Sequence, residues 1–152
     1  MSDLHDDAAL AGMETAIDRW LAVAQTDQPL ISSVERDVDI PRRWYVRLRG
    51  EEKDITTVWL TLGQRTLRYE TYVMPAPEEN HAEFYEHLLR RNDNLVGVHF
   101  SIGAEDAVFL RGELPIAALD APELDRILGT LYATVEQCFR PALAIGFASR
   151  FR

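Results

Sequence analysis

The sequence predicts an α+β fold of two layers, a mainly antiparallel sheet under helices, in the order α-β-β-β-β-α-β-β-α. Two observations lead there. Short runs alternating apolar and polar residues follow one another across polar separators too short for crossovers, as antiparallel hairpins require. Apolar residues at three- and four-residue spacing mark helices at both ends and in the middle. Strands grouped this way, rather than alternating one by one with helices, point to a sheet covered on one side. At 152 residues the chain fits a single domain, 1–152, with residues 1–7 expected as a flexible leader.

The first helix is expected over Ala8–Gln25, where Leu10, Met13, Ile17, Trp20, Leu21 and Ala24 share a face. Asp6 and Asp7 precede it, where acids favour a helix N-terminus, and with Asp3 they read as a solvated leader rather than a metal cluster. The stretch TDQP, Thr26 to Pro29, closes the helix. Four strands follow at Ile31–Val38, Trp44–Arg49, Thr56–Leu62 and Thr66–Met74. RGEEKD and GQR separate the second from the third and the third from the fourth. A helix is expected over Pro77–Asn92, then strands at Val96–Ile102 and Ala107–Arg111 around the turn GAED. The last helix starts near Pro122 and carries the stripe Leu124, Ile127, Leu128, Leu131, Val135 and Phe139. Pro141 lacks an N–H and its ring clashes one turn back, so it is expected to kink or end that helix. ALAIGFASRFR, with Arg150 and Arg152, then forms a second short helix.

Composition narrows the function. The formal net charge of −9 argues against nucleic acid and against anionic membrane surfaces as partners. No apolar run is long enough to span a bilayer. The start MSDLHDDAAL lacks the basic-then-apolar order of a secretory signal, and the single cysteine, Cys138, allows no internal disulfide. A cytoplasmic setting is the expectation.

YVMPAPEENHAEFYEHLL, Tyr72 to Leu89, resembles a site because it gathers two histidines, four glutamates and a tyrosine. Local structure accounts for most of it. Pro75 and Pro77 stop a strand, Pro77 suits the first helical position, and Glu78 and Glu79 suit the first turn. His81 falls about 60° from Phe84 and is expected to face the apolar stripe beside Tyr85 and Leu88. His87 lies about 120° round the helix from it, so the two cannot share a metal. Glu83 and His87 share a face but supply only two ligands, short of what zinc takes. Neither metal nor cofactor is expected.

Nucleophile settings are equally thin. Ser33, Ser101 and Ser149 lack a G-x-S-x-G context, and Cys138, one position off the apolar stripe, reads as a small hydrophobe. The stronger signal is a sheet face. If Val46, Leu48, Val58, Leu60, Leu67, Val73, Val98, Phe100, Val108 and Leu110 face the helices, alternation fixes the other side. That side carries Tyr45, Arg47, Arg49, Trp59, Arg68, Glu70, Tyr72, His99, Phe109 and Arg111. Tyr, Trp, Phe and Arg are the residues that concentrate at interface centres. The competing reading is an ordinary open face whose arginines pair with Glu70 and Glu113 and whose aromatics pack across strands.

TYVMPAPEENHAEFYEHLLRRNDNLVGVHFSIGAEDAVFLRGELPIAALDAPELDRILGTLYATVEQCFR, Thr71 to Arg140, resembles the YbjN-like family of small bacterial proteins, labelled sensory transduction regulators. The most specific matches are the strand–Pro–helix passage, the hairpin end VFLRGELP, and LDRILG with the downstream CFRPAL. The resemblance implies a fold similar to type III secretion chaperones. Those are acidic α+β proteins, usually dimers, that hold a partner polypeptide in extended form. It brings no catalytic residues. The function expected is therefore a non-enzymatic protein-binding or regulatory domain, chaperone-like and homodimeric, with a protein or peptide partner bound at the open sheet face, at one helix face, or at both. The alternative is a small-molecule sensor or enzyme with a pocket between helices and sheet, using His81 or His99.

Overall fold

The computed structural model describes residues 4–151. Among them, three helices lie on one face of a six-stranded antiparallel sheet with strand order β1-β2-β3-β4-β6-β5. The strands are β1 (Ile31–Arg36), β2 (Arg43–Arg49), β3 (Ile55–Leu62), β4 (Thr66–Met74), β5 (His99–Ile102) and β6 (Val108–Pro115). The helices are α1 (Asp7–Asp27), α2 (His81–Asn92) and α3 (Ala121–Gly146). The expected element order and fold class hold. All ten residues assigned to the helix side are buried, so the alternation was in register throughout. Removing such aliphatic side chains from water stabilises by about 1.5–3 kcal/mol each. The core they form is continuous from α1 to α2.

Element ends differ from the expectation for local reasons. Asp3 and Arg152 lie outside the described residues. Within the stretch expected as a leader, the Asp6 carboxylate accepts from the Ala9 N–H at 2.8 Å and caps α1, and Asp7 opens its first turn. His5 N–H donates to Gln64 O at 2.8 Å. Strand β1 stops at Arg36 because the Asp37 carboxylate accepts from the N–H groups of Asp39 and Ile40, turning the chain. Strand β5 starts only at His99, since Gly97 has φ +79°. Strand β6 runs on to Pro115 because β4 offers partners along its whole length, from Thr66↔Pro115 to Met74↔Val108.

Two expectations about proline are corrected. Pro77 does not start a helix, and Glu78 and Glu79 are not in its first turn. α2 begins at His81, after Asn80 adopts a left-handed conformation with φ 53°. The N–H groups of Glu78 and Glu79 instead donate to Gly146 O, at the end of α3. Glu78 pairs with Arg150, and Glu79 accepts from the Ser149 hydroxyl at 2.7 Å. Of the two outcomes expected at Pro141, a kink or an end, the end does not occur: α3 continues to Gly146. Its missing N–H leaves the carbonyl of Gln137 without a helical donor, and Gln137 and Pro141 are both on the exposed side, where water can reach them. No separate helix follows; residues 148–151 form a single 3-10 turn.

Each helix is pinned to the sheet by polar contacts as well as by packing. Buried Trp44 donates its indole N–H to Asp18 of α1 at 2.7 Å, and Arg36 bonds Asp18 and Glu14 while lying over the Trp44 ring. At the far edge, the Asn92 carboxamide of α2 accepts from the Phe100 N–H at 2.7 Å and donates to the Phe100 carbonyl at 3.2 Å. Helix α3 crosses β3 and β4, capped by Asp120, whose carboxylate accepts from the Glu123 N–H at 2.9 Å.

Helix α3 also grips the β2–β3 turn. The Glu136 carboxylate accepts from the backbone N–H groups of Glu51, Glu52 and Lys53, a nest of donors closed around one anion. Burial pushes the Glu136 carboxyl up, but those three donors together outweigh it, and the group sits below its ordinary value. Because the folded value is depressed, its contribution is present above the unfolded carboxyl range near pH 4.3 and is lost as pH falls through the folded value. Glu136→Gln is expected to lower unfolding stability by about 1 kcal/mol at pH 7 in urea titrations. The deficit should close as pH falls through the depressed folded value, where the wild-type carboxylate takes up its proton.

Candidate functional site

The solvent side of the sheet is built by register. Glu35, Tyr45, Trp59, Glu70, Arg111 and His99 stand in one cross-strand row, from β1 to β5. In the neighbouring row Ser33 pairs with Arg47, Arg47 with Thr57, and Phe109 with both Tyr72 and Ser101. A bulge between Tyr72 and Met74 lets Val73 and Met74 both turn inward while Tyr72 stays outside.

These rows bring four rings into a chain. Tyr45 meets Trp59 edge-on at 6.2 Å between centroids, Trp59 meets Phe109 at 6.2 Å, and Phe109 meets Tyr72 at 5.7 Å. Such contacts contribute about 0.5–1.5 kcal/mol each beyond burial. The Arg111 guanidinium lies 4.3 Å from the Phe109 centroid, donates to Glu70 at 3.0 Å, and donates to the Ser101 hydroxyl at 3.1 Å. Arg47 pairs with Glu35 at 3.2 Å and donates to Ser33 at 3.3 Å. Tyr45 donates to the Asp37 carboxylate, which holds the phenol above its ordinary value. The backbone N–H of Ile40 and then the Tyr45 hydroxyl draw the Asp37 carboxyl down.

The residues singled out from the sequence therefore divide. Tyr45, Trp59, Tyr72, Phe109 and Arg111 form one connected cluster, with Arg47 beside it. Arg49 and Arg68 are exposed at its margins: Arg49 donates to Pro29 O at 3.2 Å, and Arg68 stands opposite Thr61 and Glu113. Phe109 is not an available anchor, being only 5% exposed despite facing away from the helices. The β5–β6 turn closes over it, and a Cβ at Gly103 would collide with its ring. Tyr72, at 39% exposure, is the open member of the cluster. Glu113 accepts from the Thr66 hydroxyl at 2.9 Å.

The histidines differ from expectation. His81 is exposed rather than packed inward; as the first residue of α2 it lies beyond the contact that Phe84 begins. His87 is the half-buried one. Burial, then Arg91, holds it below its ordinary value, and its Nε2 accepts from Arg91 at 3.2 Å. His99 is exposed, as expected. Cys138 lies on the buried stripe rather than beside it, and burial pushes its thiol up; Phe139 is the half-buried position. Ser33 and Ser101 accept from arginines and Ser149 donates to Glu79. No group of three metal-ligating side chains occurs among the described residues. No helix there is long and apolar enough to cross a membrane.

Sequence reasoning missed two features. An open cleft of about 440 Å³ lies between α1 and α3 beside β1, lined by Trp20, Val23, Leu30, Leu128, Gly129 and Tyr132, together with Arg19, Asp27 and Asp125. Val23, 54% exposed and just off the α1 stripe that half-buried Trp20 belongs to, was the available signal. Lys53 was the other, because a polar turn gives no sign that its side chain folds back onto Tyr72.

The sequence model of the YbjN family, described as "Putative bacterial sensory transduction regulator", matches residues 14–144. Uncharacterised proteins of Mycobacterium tuberculosis H37Rv and Mycobacterium bovis are each 32% identical over 142 residues, covering 93% of this chain and 76% of theirs. A Mycobacterium leprae protein is 35% identical over 107 residues, 70% of this chain and 58% of its own. In fold the chain is similar to a chain of the heterodimeric ExoU–SpcU complex from the type III secretion system of Pseudomonas aeruginosa. The TM-score is 0.53 at 18% identity, with 82% and 98% of the two chains covered. It is likewise similar to a chain of the ExsC–ExsE complex, at TM-score 0.53 and 20% identity, covering 84% and 93%. The expected likeness to type III secretion proteins thus holds at the level of fold.

Phe109 and Tyr72 separate scaffold from surface. Phe109→Ala is expected to cost about 3–4 kcal/mol in urea denaturation, and Tyr72→Ala about 1 kcal/mol.

Proposed function

The chain belongs to the YbjN family, and from that premise we propose that it is a non-enzymatic regulatory domain of the cytoplasm that binds a partner polypeptide. The observation that carries this reading is the run of four rings, Tyr45–Trp59–Phe109–Tyr72, on the sheet side that no helix covers. Arg47, Arg49, Arg68 and Arg111 border it in a chain of net charge −9. Half-exposed aromatics and guanidinium groups recognise carboxylates and apolar side chains together. The partner segment it suits is therefore acidic and carries aromatic or aliphatic anchors. A second copy of the chain is the other occupant of the same face, through homodimerisation. The fold likeness to chains from two protein–protein complexes supports a binding role; the partners in those complexes are theirs.

The cleft between α1 and α3 supports a second reading, a sensor of a small apolar ligand. Gly129 tests it cleanly, because a side chain there would meet open space. Gly129→Leu should fill the cleft and remove such binding without touching the sheet face.

The double variant Trp59→Asp, Arg47→Glu tests the main reading. Because truncated interface anchors cost about 2 kcal/mol or more, partner recovery in pull-downs should fall at least about tenfold. Mass by light scattering should fall if the face joins two copies. Unchanged mass and unchanged partner recovery, in a variant with native circular dichroism, would refute the proposal.

A further inference from the structure

The cleft between α1 and α3 has mostly apolar walls, and its volume of about 440 Å³ falls in the roughly 300–1,000 Å³ range of small-molecule sites. Three ionisable side chains line it: Arg19, Asp27 and Asp125. Among the described residues none of the three forms an ion pair. Both helices run the same way along the sheet. α1 starts just after His5 bonds Gln64, and α3 starts shortly after Ile116 bonds Arg65. At the other end Leu30, just past α1, accepts from Arg49, and Glu136 of α3 grips the turn that follows β2. Asp27 and Tyr132 consequently share one end of the cleft, with Arg19 and Asp125 toward the other. About 12 Å of helix separates Arg19 from Asp27.

Asp27 stands where a helix tolerates an acid least. It closes α1 at the negative end of the dipole, and no basic residue occupies the last turn. Pro29 has no N–H to return to the Gln25 carbonyl. The N–H groups of Leu30 and Ile31 donate to Gln28, not to Thr26 and Asp27. Carboxylate and helix end thus present negative charge together. Arg49 donates to Pro29 O but does not line the cleft.

Taking the cleft as a ligand site, the second reading of the function above, we propose that its ligand is an amphipathic amine. The aliphatic or aromatic body lies against Val23, Leu30 and Leu128, and the ammonium group sits at the end that Asp27 and Tyr132 share. The ammonium gives the end of α1 the cation its last turn lacks, and aromatic faces such as that of tyrosine attract such groups. Apolar acids fit less well, because two carboxylates outnumber Arg19 in a chain of net charge −9. A neutral apolar ligand would use the same walls and leave Asp27 without a counter-charge.

The test titrates the full chain at pH 7 and low salt with three probes that share one apolar body: 4-phenylbutylamine, 4-phenylbutanol and 4-phenylbutyrate. Amide shifts in two-dimensional NMR give the affinities and map the site. The amine is expected to bind at least about fivefold tighter than the alcohol, and the carboxylate more weakly than either. The shifts should centre on Val23, Gly129 and Tyr132, and high salt should narrow the spread. Asp27→Asn should bring the amine to the alcohol's affinity and leave the alcohol unchanged; asparagine suits a helix end, so the fold is kept. Gly129→Leu should remove all three. Amine and alcohol of equal affinity, both lost in Gly129→Leu, would overturn the amine while leaving the cleft a ligand site. No binding by any probe would overturn both. An amine preference that survives Asp27→Asn or Gly129→Leu reflects diffuse attraction to an acidic chain, and it too would overturn the proposal.

Discussion

Every helix packs on the same side of the sheet, and that one-sidedness governs the rest of the molecule. The inner face needs only apolar side chains in alternation, and it has them at all ten positions read from the sequence. The outer face has no layer to lean on, so its residues must shelter one another. They do so with T-shaped ring contacts, guanidinium groups laid over rings, and a turn folded across Phe109. The surface proposed to meet a partner is thereby already organised, with little side-chain freedom left to lose on binding.

The same constraint explains where polar groups are spent. Buried Trp44 and Tyr69 each place a donor at the end of a large ring, and each finds an acceptor from outside its own strand: Asp18 of α1 and the carbonyl of Gly97. Gly112, directly opposite Tyr69, leaves room for that ring; a Cβ there would strike it. Helix α1 and the loop between α2 and β5 therefore do more than cover apolar area. They supply the hydrogen-bond partners without which these two large core residues would carry a desolvation cost of about 1–3 kcal/mol apiece.

Legibility in the sequence follows the range of the interaction. Strand alternation is local, and it assigned both faces correctly, including the cluster Tyr45, Trp59, Tyr72, Phe109 and Arg111. Helix periodicity is local too, and it found α1, α2 and α3. What failed depended on distant partners. Pro77, Glu78 and Glu79 have the composition of a helix start, yet Gly146, Ser149 and Arg150, far along the chain, claim their backbone and carboxylates. Pro141 is tolerated because its side of α3 faces water, a fact of packing rather than of propensity. Phe109 has the right parity for an exposed face, but alternation cannot report that a turn comes back over it. Lys53 was invisible for the same reason.

The Asn92 carboxamide, bonded to both backbone groups of Phe100, occupies the place a seventh strand would take beside β5. A side chain there imitates a backbone at that position. A strand arriving alongside β5 would have to displace the carboxamide from Phe100 before it could pair, so Asn92 works as a gatekeeper against extension of this margin.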